Sequence, residues 1–182
     1  MAIDSKINFL PINIAIITIS DSRTINNDKS GDILEKRVVS SKHNLIFRDI
    51  VKDEFDDIIK LITGLINQNN IDVIITTGGT GLTGRDITPE VMKTLFEKTI
   101  DGFGEMFRSL SFLKIGTSAL QSRALAGVSN GTYIFCLPGS PSACKDGWDE
   151  ILVHQLDIRH KPCNFVEIMP RLKEHEGHRN KN

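Results

Sequence analysis

Three long apolar runs, rich in β-branched residues, predict strands that are buried on both faces. They cover residues 12–20, 71–77 and 132–137. A continuous apolar run of this length is typical of a parallel strand covered by helices on both sides. Shorter runs at 45–51 and 124–128 predict two more strands. Between the runs, apolar residues recur at helical spacing. The clearest case is residues 55–69, where Phe55, Ile58, Ile59, Ile62, Leu65 and Ile66 form one stripe.

The alternation of strand and helix patterns predicts an α/β protein with a mostly parallel sheet between two layers of helices. Further helices are expected near Ser30, after Pro89, after Gly102 and after Pro141. Residues 114–123 carry no clear pattern and are expected to be irregular. Asn130-Gly131 is a strong two-residue hairpin signal, so one antiparallel pair makes the sheet mixed. We expect a single domain over residues 1–170 and, from residue 171 on, a charged and disordered tail.

The strand at 71–77 runs into a glycine loop, Gly78-Gly79-Thr80-Gly81, which continues to Arg85 and Asp86. Thr88 is the expected N-cap of the next helix, with Pro89 at its first position. Ligands of open α/β sheets bind beyond the carboxyl ends of strands, where this loop lies. No Lys follows Gly84, so this is not a Walker A loop. The alternative is a tight turn that requires glycine and binds nothing.

Two more loops, at residues 20–23 and 138–141, follow strands and are expected to share this rim. Glycine-loop amides and helix N-termini favour anions, and Arg85 and Arg123 could grip oxyanions with two hydrogen bonds each. Asp21, Asp53 and Asp86 could hold Mg²⁺ on a nucleotide. Asp53 could instead cap the helix beginning at residue 54 or 55, and Asp21 could cap a turn. Asp86 lacks such an alternative if Thr88 already caps its helix.

Charge and cysteine content narrow the function classes. A formal net charge of −1 over 182 residues argues against a nucleic-acid or membrane-surface role. No apolar run is long enough to span a bilayer, and the first residues lack a secretory signal pattern. The three cysteines are widely spaced and form neither a disulfide framework nor a zinc motif. We therefore expect a cytoplasmic protein, with Cys136 as core packing.

Taken together, the motifs resemble the MoaB/MogA family of molybdenum cofactor biosynthesis proteins, which is related to the gephyrin G domain. The resemblance rests on Ser20-Asp21-Ser22-Arg23 with a later Ser30-Gly31, on the glycine loop with Arg85-Asp86-Ile87-Thr88-Pro89-Glu90, and on Pro138-Gly139-Ser140. It covers the chain to about residue 170. Residues 103–108, 115–123 and 160–165 resemble the MoaB branch rather than MogA.

The resemblance implies a three-layer α/β/α sandwich and adenylylation of molybdopterin by ATP with Mg²⁺. The terminal phosphate of molybdopterin would attack the α-phosphorus of ATP and release pyrophosphate. Two family aspartates match Asp53 and Asp86 as catalytic residues, with Asp86 as the candidate Mg²⁺ ligand. The predicted substrate or nucleotide contacts are Ser20, Asp21, Ser22, Gly78, Gly79, Thr80, Gly81, Arg85, Ser122, Arg123, Pro138, Gly139 and Ser140.

Two alternatives stay open at this stage. One is a non-catalytic oligomer that binds a pterin or nucleotide and stores an intermediate or hands it to other molybdenum cofactor biosynthesis proteins. The other concerns self-assembly, which the resemblance implies as a trimer or hexamer. Phe103, Met106, Phe107 and Phe112 could supply an interface, or they could fill the core of the monomer.

Overall fold

The computed structural model describes residues 2–174, which form a central sheet between helices. The strands are β1 (Ala2–Ile3), β2 (Asn13–Ile19), β3 (Asn44–Val51), β4 (Val73–Thr77), β5 (Lys98–Thr99), β6 (Leu125–Ser129), β7 (Thr132–Leu137) and β8 (His160–Lys161). The helices are α1 (Lys29–Ser40), α2 (Phe55–Ile66), α3 (Thr88–Leu95), α4 (Asp101–Ile115), α5 (Pro141–Gly147), α6 (Val153–Gln155) and α7 (Phe165–Ile168). A π-helical stretch, Trp148–Leu152, joins α5 to α6.

The main sheet has six strands in the order β3-β2-β4-β7-β6-β5. The first four strands are parallel, while β6 runs antiparallel to β7 and β5 antiparallel to β6. Asn130 and Gly131, at φ +47° and +78°, make the tight turn between β6 and β7. The predicted mixed, mostly parallel sheet is therefore confirmed. A separate two-stranded antiparallel sheet pairs β1 with β8.

Side chains of the central strands point alternately into two separate cores. In β2, Ile14 and Ile16 face a core completed by α1, α4 and α5, whereas Ile17 and Ile19 face a core completed by α2 and α3. All four isoleucines are at most 2% exposed. Burial on both faces explains why these strands read as continuous apolar runs. It also confirms the three-layer α/β/α architecture.

Several element boundaries differ from the sequence-based predictions. Helix α2 ends at Ile66 with Asn67 as its C-cap, earlier than the predicted end at residue 69. Helix α4 runs on to Ile115, and a 3₁₀ helix, Gly116–Gln121, follows, so the expected irregular stretch is largely helical. Gly116, at φ +58°, ends α4 because it adopts a conformation that other residues rarely take.

The predicted tail lies mostly outside the described residues, which end at 174. Within 171–174, Arg171 closes a short 3₁₀ helix, Met169–Arg171, and Leu172 packs against one of the cores. The domain boundary at residue 170 stays a prediction. No helix within residues 2–174 is both long enough and apolar enough to cross a membrane.

Candidate functional site

The loops after β2, β4 and β7 meet at one rim, because these three strands are neighbours and run parallel. The Gly78 amide donates to the Leu137 carbonyl at 3.1 Å, and the Thr77 hydroxyl donates to the Pro138 carbonyl at 2.9 Å. A Cβ on Gly139 would lie only 3.2 Å from the Cα of Gly78. The shared rim that the sequence predicts is thus present.

The glycine loop is held open by backbone conformations that favour glycine. Gly78 and Gly79 have φ values of +104° and +61°. The Thr88 hydroxyl donates to the Gly78 carbonyl at 2.9 Å, and the Thr88 amide donates to the Gly79 carbonyl at 3.0 Å. Thr88 is therefore not the N-cap of α3, as the sequence predicted; Ile87 occupies that position. The Thr88 hydroxyl instead ties the glycine loop to the start of α3.

Asp53 lies behind the glycine loop and is 9% exposed. A Cβ on Gly79 would come within 2.7 Å of its Oδ1. Burial, and next the negative charge of Asp21, raise the pKa of the Asp53 carboxyl above its ordinary value. Asp53 does not cap α2, because Glu54 is the N-cap residue. A buried carboxylate with a raised pKa and no capping duty is typical of functional sites.

Asp86 lies on the other side of the same loop. Its Oδ2 accepts hydrogen bonds from the amide and the hydroxyl of Thr83, at 2.9 and 2.5 Å. These bonds lower the pKa of Asp86, with the Thr83 hydroxyl as the largest cause. The sequence offered no capping role for Asp86, and in the structure its carboxylate holds the loop through Thr83 instead. Its ligand role stays a prediction.

Arg85 is committed to carboxylates rather than pointing at an open site. Its guanidinium donates to both oxygens of Asp21 at 3.0 Å and to Glu54 at 2.8 Å. The Arg85 bond is the largest cause of the lowered pKa of Asp21. Asp21 also accepts from the Asp53 amide at 3.2 Å, so it joins two loops rather than capping a turn alone. An anion that binds Arg85 must compete with these partners.

Arg123 braces the glycine loop. Its Nε donates to the Gly81 carbonyl at 2.8 Å, one Nη donates to the Asp86 carbonyl at 2.7 Å, and the other pairs with Glu90. The side chain thereby spans the loop and the first turn of α3. The structure assigns it contacts that position the loop, while its predicted contact with an anion stays untested.

Replacing this brace tests its role. We expect Arg123→Lys to loosen residues 81–86, because an ammonium on a shorter stem cannot serve three partners in a planar fork. Hydrogen bonds to charged groups are worth about 1.5–3 kcal/mol each, so amide exchange in the loop should quicken ~10-fold or more. Hydrogen exchange measured by mass spectrometry would show this. Unchanged exchange at 81–86 would mean that the brace carries no energy.

The remaining predicted residues lie along the same rim. Ser140 caps α5 through its bond from the Ala143 amide at 3.2 Å. The Ser20 hydroxyl accepts from the amides of Ser22 and Arg23 at 3.3 and 3.2 Å. Thr80 is buried. Ser122 only approaches the Ala124 amide, at 3.5 Å, and faces a neighbouring cleft.

Two residues that support the rim, Asp28 and Ser30, were not among the predicted site residues, although Ser30 belongs to the motifs that carry the family resemblance. Asp28 is 1% exposed; it caps α1 and accepts from the Thr18 hydroxyl at 2.8 Å. Ser30 donates to the Gly139 carbonyl at 2.8 Å. The three-residue spacing from Asp28 to Gly31 is an N-cap signal that could have located the first. The motif Ser30-Gly31 marks the second but does not give its partner, which is 109 residues away.

The described residues contain no group of three or more His, Cys, Asp or Glu side chains that could hold a metal ion by themselves. Magnesium, however, is commonly bound by only one or two carboxylates together with substrate phosphates and water. Asp53 and Asp86 on either side of the loop fit that pattern.

A three-layer sandwich with a glycine loop, flanking carboxylates and helix N-termini beyond the carboxyl ends of parallel strands defines an open α/β domain with its candidate ligand site at that rim. Residues 15–158 match the family described as "Probable molybdopterin binding domain". Molybdenum cofactor biosynthesis protein B of Escherichia coli strain K12 is 45% identical over 166 residues, which cover 91% of this chain and 96% of that protein.

Solved structures of similar proteins have the same fold. A crystal structure of a molybdenum cofactor biosynthesis protein B superimposes with a TM-score of 0.82 at 34% identity and covers 91% of this chain and 98% of its own. The tungsten cofactor synthesizing protein MoaB of Pyrococcus furiosus gives 0.71 at 32% identity, with 90% and 96% covered. The chain belongs to the MoaB family of molybdenum cofactor biosynthesis proteins, as its motifs suggested.

Proposed function

We propose that this protein adenylylates molybdopterin, using ATP and Mg²⁺, as a step of molybdenum cofactor biosynthesis. An oxygen of the terminal phosphate of molybdopterin attacks the α-phosphorus of ATP. The bond from that phosphorus to the oxygen bridging to the β-phosphate breaks, pyrophosphate leaves, and the product carries a new phosphate–phosphate linkage to AMP.

The observation that carries the proposal is the pair of carboxylates on either side of one glycine loop. A Cβ on Gly79 would meet Asp53 at 2.7 Å, and a Cβ on Gly81 would meet Asp86 at the same distance. Three of the four loop residues are glycines and the fourth, Thr80, is buried, so phosphates can approach the loop backbone. Two acids beside a phosphate cradle suit chemistry in which negative charge is rearranged on phosphorus.

Asp53 and Asp86 would hold Mg²⁺, which supplies charge neutralisation for the triphosphate when bound. The rest of the work falls to the chain itself. The amides of Gly79 and Thr80 and the N-terminus of α3 orient phosphates. Thr88 and Arg123 fix the loop in that form. Arg85 can exchange Asp21 and Glu54 for a ligand oxyanion, because its guanidinium is more than half exposed.

Purified protein with ATP, Mg²⁺ and molybdopterin tests the proposal. We expect pyrophosphate and adenylylated pterin to form together, and neither to form when the pterin is omitted. Binding of both ligands without any pyrophosphate would instead establish the non-catalytic storage function.

The exposed Cys163 and the buried Cys136 and Cys144 are unpaired, which suits the proposed cytoplasmic location.

We further propose that the protein assembles as a trimer or a hexamer through α4. Phe103 and Phe107 are buried in the core, so they cannot supply an interface. Met106, Phe112 and Leu113 are 54%, 57% and 80% exposed on the same helix. Large exposed apolar side chains grouped on one element are typical of interaction sites.

A charge on this face should dissociate the assembly. We expect Leu113→Asp to lower the mass measured by light scattering toward the 20.3 kDa monomer at micromolar concentration. Val39→Asp is the matched control, since Val39 is 57% exposed on α1. A wild-type mass near 20.3 kDa would refute the assembly itself.

A further inference from the structure

A cleft of about 620 Å³ lies between α3 and α4, beside the glycine loop. One wall contains Lys93 and Phe96, and the other contains Asp101, Glu105 and Arg108. The wall residues of α4 recur at helical spacing, so they share one face of the helix. This face lies opposite the buried face of α4 that Phe103 and Phe107 occupy.

The cleft exists because its inner surface is built from small residues. Gly104 packs so closely on the backbone just before β6 that a Cβ there would lie 2.5 Å from the Ala124 carbonyl oxygen. Ala124 and Ala126 form the floor. Ser122 and Arg123 also line the cleft, and Arg123 contacts the Gly81 carbonyl. The cleft and the glycine loop are therefore adjacent parts of one surface.

The charges of the cleft differ from those of the rim. At the rim, Arg85 pairs with Asp21 and Glu54. Among residues 2–174, the side chains of Lys93, Asp101 and Glu105 make no hydrogen bond or ion pair with one another or with any other described residue. Arg108 donates to the Ala124 carbonyl at 3.1 Å and keeps other N–H groups free. Hydrogen-bond donors and acceptors that have no protein partner around a cavity can be satisfied by a ligand.

We propose that this cleft binds the pterin ring of the substrate, with Glu105 accepting its N–H donors; this inference rests on the proposed function. A pterin is planar, and one edge presents an amide N–H and an amino group beside a carbonyl oxygen. A carboxylate accepts two parallel N–H bonds, as it does from arginine. Arg108 donates to the ring carbonyl, and Phe96 packs on the ring. The volume is within the range of small-molecule sites.

Guanine presents the same donor edge, whereas adenine does not. Unphosphorylated probes distinguish a pterin ligand from a guanine ligand, because such probes gain no affinity from phosphate contacts at the glycine loop. The probes are 6-hydroxymethylpterin, guanosine and adenosine, each titrated by calorimetry. We expect the pterin to bind more tightly than guanosine and adenosine not to bind. Tighter binding of guanosine would reassign the cleft to a purine and overturn the pterin proposal.

Glu105→Gln tests the recognition directly. It keeps the size of the side chain but replaces one acceptor oxygen with a donor, so we expect pterin affinity to fall ~10-fold or more. Glu167→Gln on α7 is the matched control, because Glu167 is also exposed and does not line the cleft. Equal pterin affinity in wild type and Glu105→Gln, or no pterin binding by wild type, would refute the cleft site.

The two proposals fail separately. Adenylylation by a Glu105→Gln protein at wild-type pterin affinity would remove the cleft site and leave the proposed function standing. Binding of 6-hydroxymethylpterin that depends on Glu105, in a protein that makes no pyrophosphate, would do the reverse. Asp53→Asn should still bind this unphosphorylated pterin, since Asp53 does not line the cleft.

Discussion

Asp53→Asn is expected to cost roughly 10²–10³-fold in turnover and at the same time to raise the free energy of unfolding. The rate loss corresponds to about 2.7–4 kcal/mol, the usual cost of removing one preorganised electrostatic contact from a transition state. The gain in stability follows from burial and from the nearby negative charges of Asp21 and Asp86, which together disfavour ionised Asp53. Opposite signs of the two effects distinguish a functional carboxylate from a structural one.

The pH dependence of stability gives an independent check. Because the pKa of Asp53 is raised in the folded protein, the folded state binds more protons than the unfolded state between the ordinary value of 3.8 and the raised value. The contribution of Asp53 to stability therefore decreases as the pH rises through that window. Asparagine does not titrate. Urea unfolding should show the advantage of Asp53→Asn growing with pH and then levelling off.

Asp56→Asn is the control for both measurements, since Asp56 is exposed in the first turn of α2 and away from the loop. It should change turnover little. A less stable Asp53→Asn protein would mean that the carboxylate stabilises the fold, and an Asp53→Asn protein with wild-type turnover would remove it from the mechanism.

Gly79→Ala is expected to damage both ligand binding and the fold. An added Cβ at this position would block the approach of a phosphate to the loop. In the structure that Cβ would lie 2.3 Å from the Thr88 hydroxyl oxygen and 2.7 Å from Asp53, at a φ of +61°. Left-handed conformations in residues other than glycine cost about 1–3 kcal/mol, and the clash adds to this.

Gly84→Ala is the matched control in the same loop. A Cβ at Gly84 would meet nothing within 4 Å, and its φ is not left-handed. Its stability should stay within about 0.5 kcal/mol of wild type or increase slightly. Thermal unfolding and calorimetric titration with ATP, run side by side, would measure both effects. Equal stability of the two variants would contradict the observed loop geometry.

The sequence predicted the fold well because local signals and burial agree. The β-branched runs of β2, β4 and β7 are buried on both faces, and Asn130-Gly131 turns where expected. Patterns that one element determines by itself were read correctly, including the strand, glycine loop and helix order around Gly78.

What the sequence did not predict depends on contacts between distant residues. Arg123 donates to the carbonyls of Gly81 and Asp86, which lie 42 and 37 residues away along the chain. The hydrogen bond from Thr83 to Asp86 depends on the conformation of the whole loop, which the sequence pattern does not specify. Similarly, Phe103 and Met106 look alike in the sequence, yet one faces the core and the other faces outward, since helix rotation is set by packing.

Transfer of a label from the α-phosphate of ATP is the most direct test of the central claim. ATP labelled at the α-phosphate and, in a parallel reaction, at the γ-phosphate is mixed with the protein, Mg²⁺ and molybdopterin. Adenylylation places the α-label on the pterin and the γ-label in pyrophosphate, in equal amounts, and Asp53→Asn should give little of either. A γ-label released as free phosphate, or an unlabelled pterin after complete binding of both substrates, would contradict the account.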